Sequence, residues 1–228
     1  MGLRRAVIRL NDHTWPEAEA ARPWLLVPLG SCEQHGPHLP LDTDTTIALA
    51  VAAGVAVRRA DVVVAPALPY GASGEHAAFP GTLSIGLDAL ERLVVELVRS
   101  ADHFAGTVLV NGHGGNAVAV DAAVARLRSE GRDARAWWPR LDGDAHAGRT
   151  ETSLMLALAP ERVRLDRAEP GCRAPLRSVL AAIEQDGVRA ISANGVLGDP
   201  TEASAAEGRS ILAALVDDLA ASVPATSG

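Results

Sequence analysis

The chain has 228 residues, a net charge of −7, and is 48% hydrophobic but only 3% aromatic, which suits one domain with a core of Ala, Val and Leu. The acidic balance and lack of a basic stripe exclude a nucleic-acid footprint. All 21 basic residues are Arg, which excludes any Schiff-base, Walker or general-base lysine.

The start, MGLRRAVIRLND, has no apolar stretch followed by a small-residue cleavage site, and no run reaches the length of a membrane span. Cys32 and Cys172 suggest no disulfide framework. The expected location is a reduced cytoplasm. Trp24 to Leu29 reads as a buried strand ending at Gly30. Thr45 to Ala60 reads as a helix and Val62 to Ala65 as a second strand. The Gly-rich loop YGASGEHAAFPGTLSI follows. Leu87 to Phe104 has helical apolar spacing at Leu90, Leu93, Val94, Leu97 and Val98. Thr107 to Val110 is a third buried strand, Asn116 to Glu130 a helix and Ala134 to Trp138 a fourth strand. Helices are expected at Gly148 to Leu158, Ser178 to Glu184 and Ala203 to Ala221. Strands alternating with helices predict an α/β fold with a mostly parallel central sheet, helices on both faces, and ligands at the carboxyl edge. One domain over 1–223 is expected, with a disordered tail at 224–228.

Three clusters carry the chemistry: GSCEQHGPHLPLDTD from Gly30 to Asp44, NGHGGN from Asn111 to Asn116, and DAHAGRTE from Asp144 to Glu151. The first gathers one Glu, two His and two Asp on a loop stiffened by Pro37 and Pro40, as a hard or borderline divalent metal requires. Glu33 and His35 are two apart and share a face in extended chain. His113 sits at a strand-to-helix junction. The expected ligand set is Glu33, His35, Asp44, His113 and Glu151, with Asp44 bridging two ions. Each has a plainer reading: Asp44 and Glu151 as helix-start caps, His113 as a satisfied junction histidine. Cys32 should face away from Glu33 and read as a packed thiol, and His38 as a solvated loop residue. His13 and His103 are expected at the surface. The ligand types suit iron(II), zinc or manganese.

These motifs, with SGEHAAFPGT from Ser73 to Thr82 and HAGRTETS from His146 to Ser153, resemble those of the creatininase family of metal-dependent amidohydrolases. The resemblance implies a three-layer α/β/α sandwich, a homo-oligomer and two divalent metal ions per subunit. It further implies Glu33, Asp44 and His113 on one ion, His35, Asp44 and Glu151 on the other, and His146 as the proton-transferring histidine. Creatinine-hydrolysing members carry a Glu where this chain has Gly115 and another where it has Ala145. The segments Gly143 to Ala168 and Asn194 to Gly208 resemble the mycofactocin-system branch, which implies a peptidase removing a C-terminal Val-Tyr dipeptide from a modified precursor peptide. Ser73, Glu75 and His76 lie in a loop that could meet the substrate. Asp144 either orients His146 or only shapes its loop. Arg149 either pairs with a substrate carboxylate or is an exposed helix-start residue.

Within the hydrolase reading, the alternative is a cyclic-amide or formamide hydrolase of the same family, and two rival readings stand outside it. Gly112 to Ala117 (GHGGNA) fits the dinucleotide fingerprint after a strand, but it stands midway along the chain and leaves Glu33, His35 and Asp44 without a role. The other rival is a metal-binding scaffold that turns nothing over.

Overall fold

The computed structural model describes residues 9–19, 22–140 and 143–225. Four parallel strands form its sheet: β1 (Trp24–Leu29), β2 (Val62–Val64), β3 (Gly106–Asn111) and β4 (Ala134–Trp137), in the order β2-β1-β3-β4. Eight α-helices are described: α1 (Trp15–Glu19), α2 (Thr43–Arg58), α3 (Leu87–Arg99), α4 (Ala117–Ser129), α5 (Arg149–Leu158), α6 (Leu176–Asp186), α7 (Val188–Ile191) and α8 (Ala205–Ser222).

Every residue of β1 is buried, as a strand covered on both faces requires. Its alternate side chains divide between two cores. Trp24 and Leu26 pack with Val51 and Val55 of α2, Leu154 of α5, and Leu215 and Leu219 of α8. Leu25, Val27 and Leu29 pack with Leu90 and Val94 of α3 and Val120 and Leu127 of α4. The result is the expected three-layer α/β/α sandwich. Pro28 is tolerated in this central strand because the β1–β2 register ends at Leu26–Val64, so its missing N–H falls past the ladder. Its carbonyl instead accepts from the Leu68 N–H at 2.9 Å.

The chain leaves β1 for α2 on one face and leaves β3 for α4 on the other, although β1 and β3 are neighbours. Such a reversal opens a crevice at the carboxyl ends of the two strands. The Gly30–Asp44 loop leaves β1 there, and NGHGGN leaves β3 there.

Element ends differ from the sequence reading in physically simple ways. The helix expected to reach Phe104 stops at Arg99; Ala101 and Phe104 keep the apolar spacing but bury themselves through turns. α2 starts two residues earlier than expected, which places Asp44 in its first turn. α8 begins at a capping box, with the Ser204 side chain accepting from the Glu207 N–H. Of the tail expected to be disordered, residues 226–228 lie outside the described residues, while the Pro224 carbonyl accepts from Arg59 Nη2 at 2.7 Å. No described helix is long and apolar enough to cross a membrane.

Candidate metal centre

The loop after β1 folds back on itself. His35 bridges to Pro37 and Leu39, and the Glu33 N–H donates to the Leu41 carbonyl at 2.9 Å. The two prolines therefore return the chain so that Asp44, opening α2, meets Glu33 and His35; all three are buried. His35 Nε2 lies 3.0 Å from Asp44 Oδ1 and 3.8 Å from Glu151 Oε2. Its Nδ1 donates to the Glu33 carbonyl at 3.1 Å, which fixes the nitrogen that faces the carboxylates. His113 arrives from β3 and faces Asp44 Oδ2 with Nδ1 at 3.3 Å and Glu33 Oε2 with Nε2 at 3.2 Å. Asp44 thus offers one oxygen to each imidazole. Ser31 Oγ donates to Asp44 Oδ2 at 2.7 Å, and the Ala147 N–H donates to Glu151 Oε2 at 2.6 Å.

The structure brings all five expected ligands together, and it adds His146 and His76. His146 Nδ1 is 3.7 Å and His76 Nε2 is 3.4 Å from Glu33 Oε1. The loop after β2 lines the same cluster: Glu75 Oε1 is 3.5 Å and Ser73 Oγ is 3.4 Å from His113 Nε2. Among the described residues, three groups place donor atoms within 4.8 Å of one another: Glu33/His35/Asp44, His35/His146/Glu151 and Glu33/His76/His146.

The charges and donor types suit a cation. Burial raises the Glu33 carboxyl, but His113 and His76 outweigh it and hold the group at about 2. It is therefore an anion at neutral pH, yet neither buried oxygen accepts a hydrogen bond. A buried carboxylate left so bare costs several kcal/mol unless a positive partner meets it. Burial opposes charge on His35 as well, but Asp44, Glu151 and Glu33 raise it to about 10. Burial pushes Glu151 up to about 7, with His35 opposing. His146 moves the other way: burial, then the neighbouring His35 and His76, push it well below the usual histidine range. Oxygen and imidazole donors around a carboxylate whose oxygens accept no hydrogen bond fit divalent cations.

The structure agrees with the plainer alternative for Arg149 and Asp144 and differs from the expectation for His38. Arg149 is not brought to the cluster; Glu207 at 2.8 Å and Glu202 at 3.0 Å hold its guanidinium. Asp144 does not touch His146. Its Oδ2 accepts from the Arg149 N–H at 3.0 Å and the Asp199 N–H at 2.8 Å, so it caps α5 and ties down the 196–199 loop. His38 is buried, not solvated, and its Nε2 meets Thr152 Oγ1 at 2.9 Å. The dinucleotide reading of Gly112–Ala117 fails on charge, because His113 in that turn packs on two carboxylates that would repel a pyrophosphate.

Two features carried no sequence signal. Ala147 has φ 51, a left-handed conformation that costs a non-glycine residue about 1–2 kcal/mol and turns the chain between His146 and Glu151. Gln34, between two expected ligands, reaches both His76 and His146. Only its place between Glu33 and His35 could have drawn attention to it.

Comparison with known proteins agrees with this geometry. The family model described as creatinine amidohydrolase matches residues 11–223. The mycofactocin precursor peptide peptidase of Mycobacterium tuberculosis is 52% identical over 221 residues, 92% of this chain and 88% of that protein. The solved structure described as creatininase Mn has a TM-score of 0.78 at 31% identity, covering 96% of this chain and 97% of that one. A mutant creatininase of Zn-Zn type has a TM-score of 0.78 at 29% identity, over 96% and 97% of the two chains. With the fold, the ligand cluster and nearly the whole length in agreement, this chain belongs to the creatininase family.

Proposed function

We propose that the protein is the peptidase of mycofactocin biosynthesis, removing a C-terminal Val-Tyr dipeptide from the modified precursor peptide. Glu33, His35, Asp44, His113 and Glu151 hold two divalent cations in this reading. The observation that carries it is Glu33, a fully buried carboxylate with two bare oxygens amid three imidazoles. The manganese and zinc in the descriptions of the related structures support cations of that class, and the 52% identity to a precursor peptide peptidase supports the substrate.

Bound in such a pair, divalent cations polarise a carbonyl and lower the pKa of a water from 15.7 to about 7. The residues do the rest. Asp44, with one oxygen beside His35 and the other beside His113, would be shared between the cations. Burial keeps His146 neutral near pH 7, so it takes up a proton and delivers it to the leaving amine. Ser73 and Glu75 border the cluster where the substrate arrives. A cavity of about 340 Å³, walled by His113, Glu151, Trp138, Ile47 and Leu154 among others, opens beside it.

Creatinine hydrolysis fits less well. A side chain at Gly115 would collide with the Ala72 carbonyl, His113 and Glu75, so there is no room for the Glu that creatinine-hydrolysing relatives carry at that position.

The test is mass spectrometry of the modified precursor peptide incubated with metal-loaded protein. Loss of Val-Tyr is expected, with two ions per chain by elemental analysis. An intact peptide beside stoichiometric metal would overturn the peptidase reading in favour of another amide substrate or a scaffold. Light scattering tests the homo-oligomer that the family resemblance implies.

A further inference from the structure

We infer that Gln34 is a positioning residue that sets the protonation pattern of two histidines, making His146 a base through Nδ1 and His76 a hydrogen-bond donor through Nε2. The functional consequence rests on the hydrolytic reading above; the proton positions do not.

The assignment follows from groups that can only donate or only accept. Gln34 Oε1 receives the Gly36 N–H at 2.8 Å, and a backbone N–H only donates. Gln34 Nε2 faces the Gly195 carbonyl at 3.1 Å, and a carbonyl only accepts. These two contacts fix which end of the amide is which. His146 Nε2 lies 2.8 Å from the Gln34 main-chain carbonyl, so Nε2 carries the hydrogen and Nδ1 is bare. That bare nitrogen lies 3.7 Å from Glu33 Oε1.

The amide has two hydrogens. One goes to Gly195. With His146 Nε2 already a donor, the other goes to His76 Nδ1 at 2.9 Å. His76 Nδ1 therefore accepts, and in the neutral ring the hydrogen sits on Nε2, which lies 3.4 Å from Glu33 Oε1 without a hydrogen bond to it. This assignment satisfies all four contacts; Gln34 Nε2 and His146 Nε2, 3.0 Å apart, then both carry hydrogen and are neighbours, not hydrogen-bond partners, the shorter carbonyl contact taking the His146 hydrogen. Gln34 is 5% exposed, so water does not compete for them.

Two consequences follow. His76 presents N–H, not a lone pair, so the Glu33/His76/His146 group is not a cation site despite its close donor atoms. The cluster also holds a base and a neutral donor side by side, with ring centroids 4.5 Å apart. Amide hydrolysis uses such a pair, one group taking the proton of water and the other meeting the charge that develops on the carbonyl oxygen.

The test is long-range proton–nitrogen NMR on zinc-loaded protein labelled with nitrogen-15 histidine, with His76 assigned by loss of its signal in His76→Gln. Both rings should show hydrogen on Nε2 and a bare Nδ1. In Gln34→Met, which removes the amide but keeps the main-chain carbonyl, His146 should be unchanged and His76 should lose its single tautomer. kcat should fall roughly tenfold, about 1.4 kcal/mol in barrier, with KM and zinc content unchanged. Hydrogen on Nδ1 of wild-type His76, zinc on its Nε2, or an unaltered His76 in Gln34→Met would overturn the inference. If the variant does not fold, the wild-type spectrum decides alone. A protein with the expected spectrum and no peptide turnover would refute the peptidase reading and leave the proton positions standing.

Discussion

At the scale of single residues, the cluster separates groups that hold charge from groups that move it. His35 and His113 sit against carboxylates that keep them cationic until a metal replaces the proton, whereas burial keeps His146 neutral. His146 is thus a neutral base at pH 7, as is His76, which burial also lowers, to about 4. His146→Ala is expected to retain both cations while turnover falls about 10²–10⁴-fold, the usual contribution of a positioned proton donor or acceptor; near-normal turnover by peptide assay would end that role. Ser31 tests the layer behind the ligands. Its hydroxyl donates to Asp44 Oδ2 from a fully buried position, and lost hydrogen bonds of this kind weaken metal affinity by about 10–100-fold. Ser31→Ala should show that loss in competition with a fluorescent chelator and keep its fold by circular dichroism; unchanged affinity would mean the hydroxyl only fills space. Nothing in the sequence distinguishes Ser31 from other loop serines. Glu33, His35 and Asp44 stand out because Glu, His and Asp crowd a Gly/Pro-rich loop with no core to join.

At the scale of elements, the sequence shows where the helices and strands run better than how closely they approach. Alternating buried strands and amphipathic helices gave the layers, and the clusters following the first and third strands identified the crevice. Arg149 could not be placed from the sequence, because Glu202 and Glu207, more than fifty residues away, hold it. The contact between α5 and α8 that joins them was equally hidden. It depends on Gly208, where an added methyl group would run into the backbone of Ser153 and Leu154. Two effects oppose each other in Gly208→Ala. Helix propensity favours Ala by about 1 kcal/mol, while overpacking against backbone that cannot rotate away costs about 1–3 kcal/mol. Packing should win, because the obstacle is main chain and not the end of a flexible side chain. The melting temperature should drop by several degrees, at about 2–4 °C per kcal/mol for a chain of this size. Metal affinity should fall with it, since α5 carries Glu151. A rise in melting temperature would show that the two helices separate freely.

For the molecule as a whole, folding pairs buried carboxylates with protonated imidazoles, and cation binding should therefore be tied to both pH and stability. The sheet reversal brings Glu33 and His35 from one strand end and His113 from its neighbour, and α2 and α5 add Asp44 and Glu151. Their carboxylates raise His35 to about 10 and His113 in the same direction, so both imidazoles are protonated at pH 7 when only protein groups surround them. A cation needs the neutral ring, and its binding must expel protons. The sign follows: affinity should rise with pH between about 7 and 9, about tenfold per unit for each proton displaced. Calorimetric titration of zinc into chelator-stripped protein, in two buffers of different ionisation enthalpy, should therefore give different heats, with at least one proton released per chain. Metal at 100 times its dissociation constant should add about 2.7 kcal/mol of stability, raising the melting temperature by about 5–11 °C. Heats that do not depend on the buffer would mean that the carboxylates do not charge these histidines. The cluster would then be a preformed neutral site, and the electrostatic argument for the cation pair would fail with it.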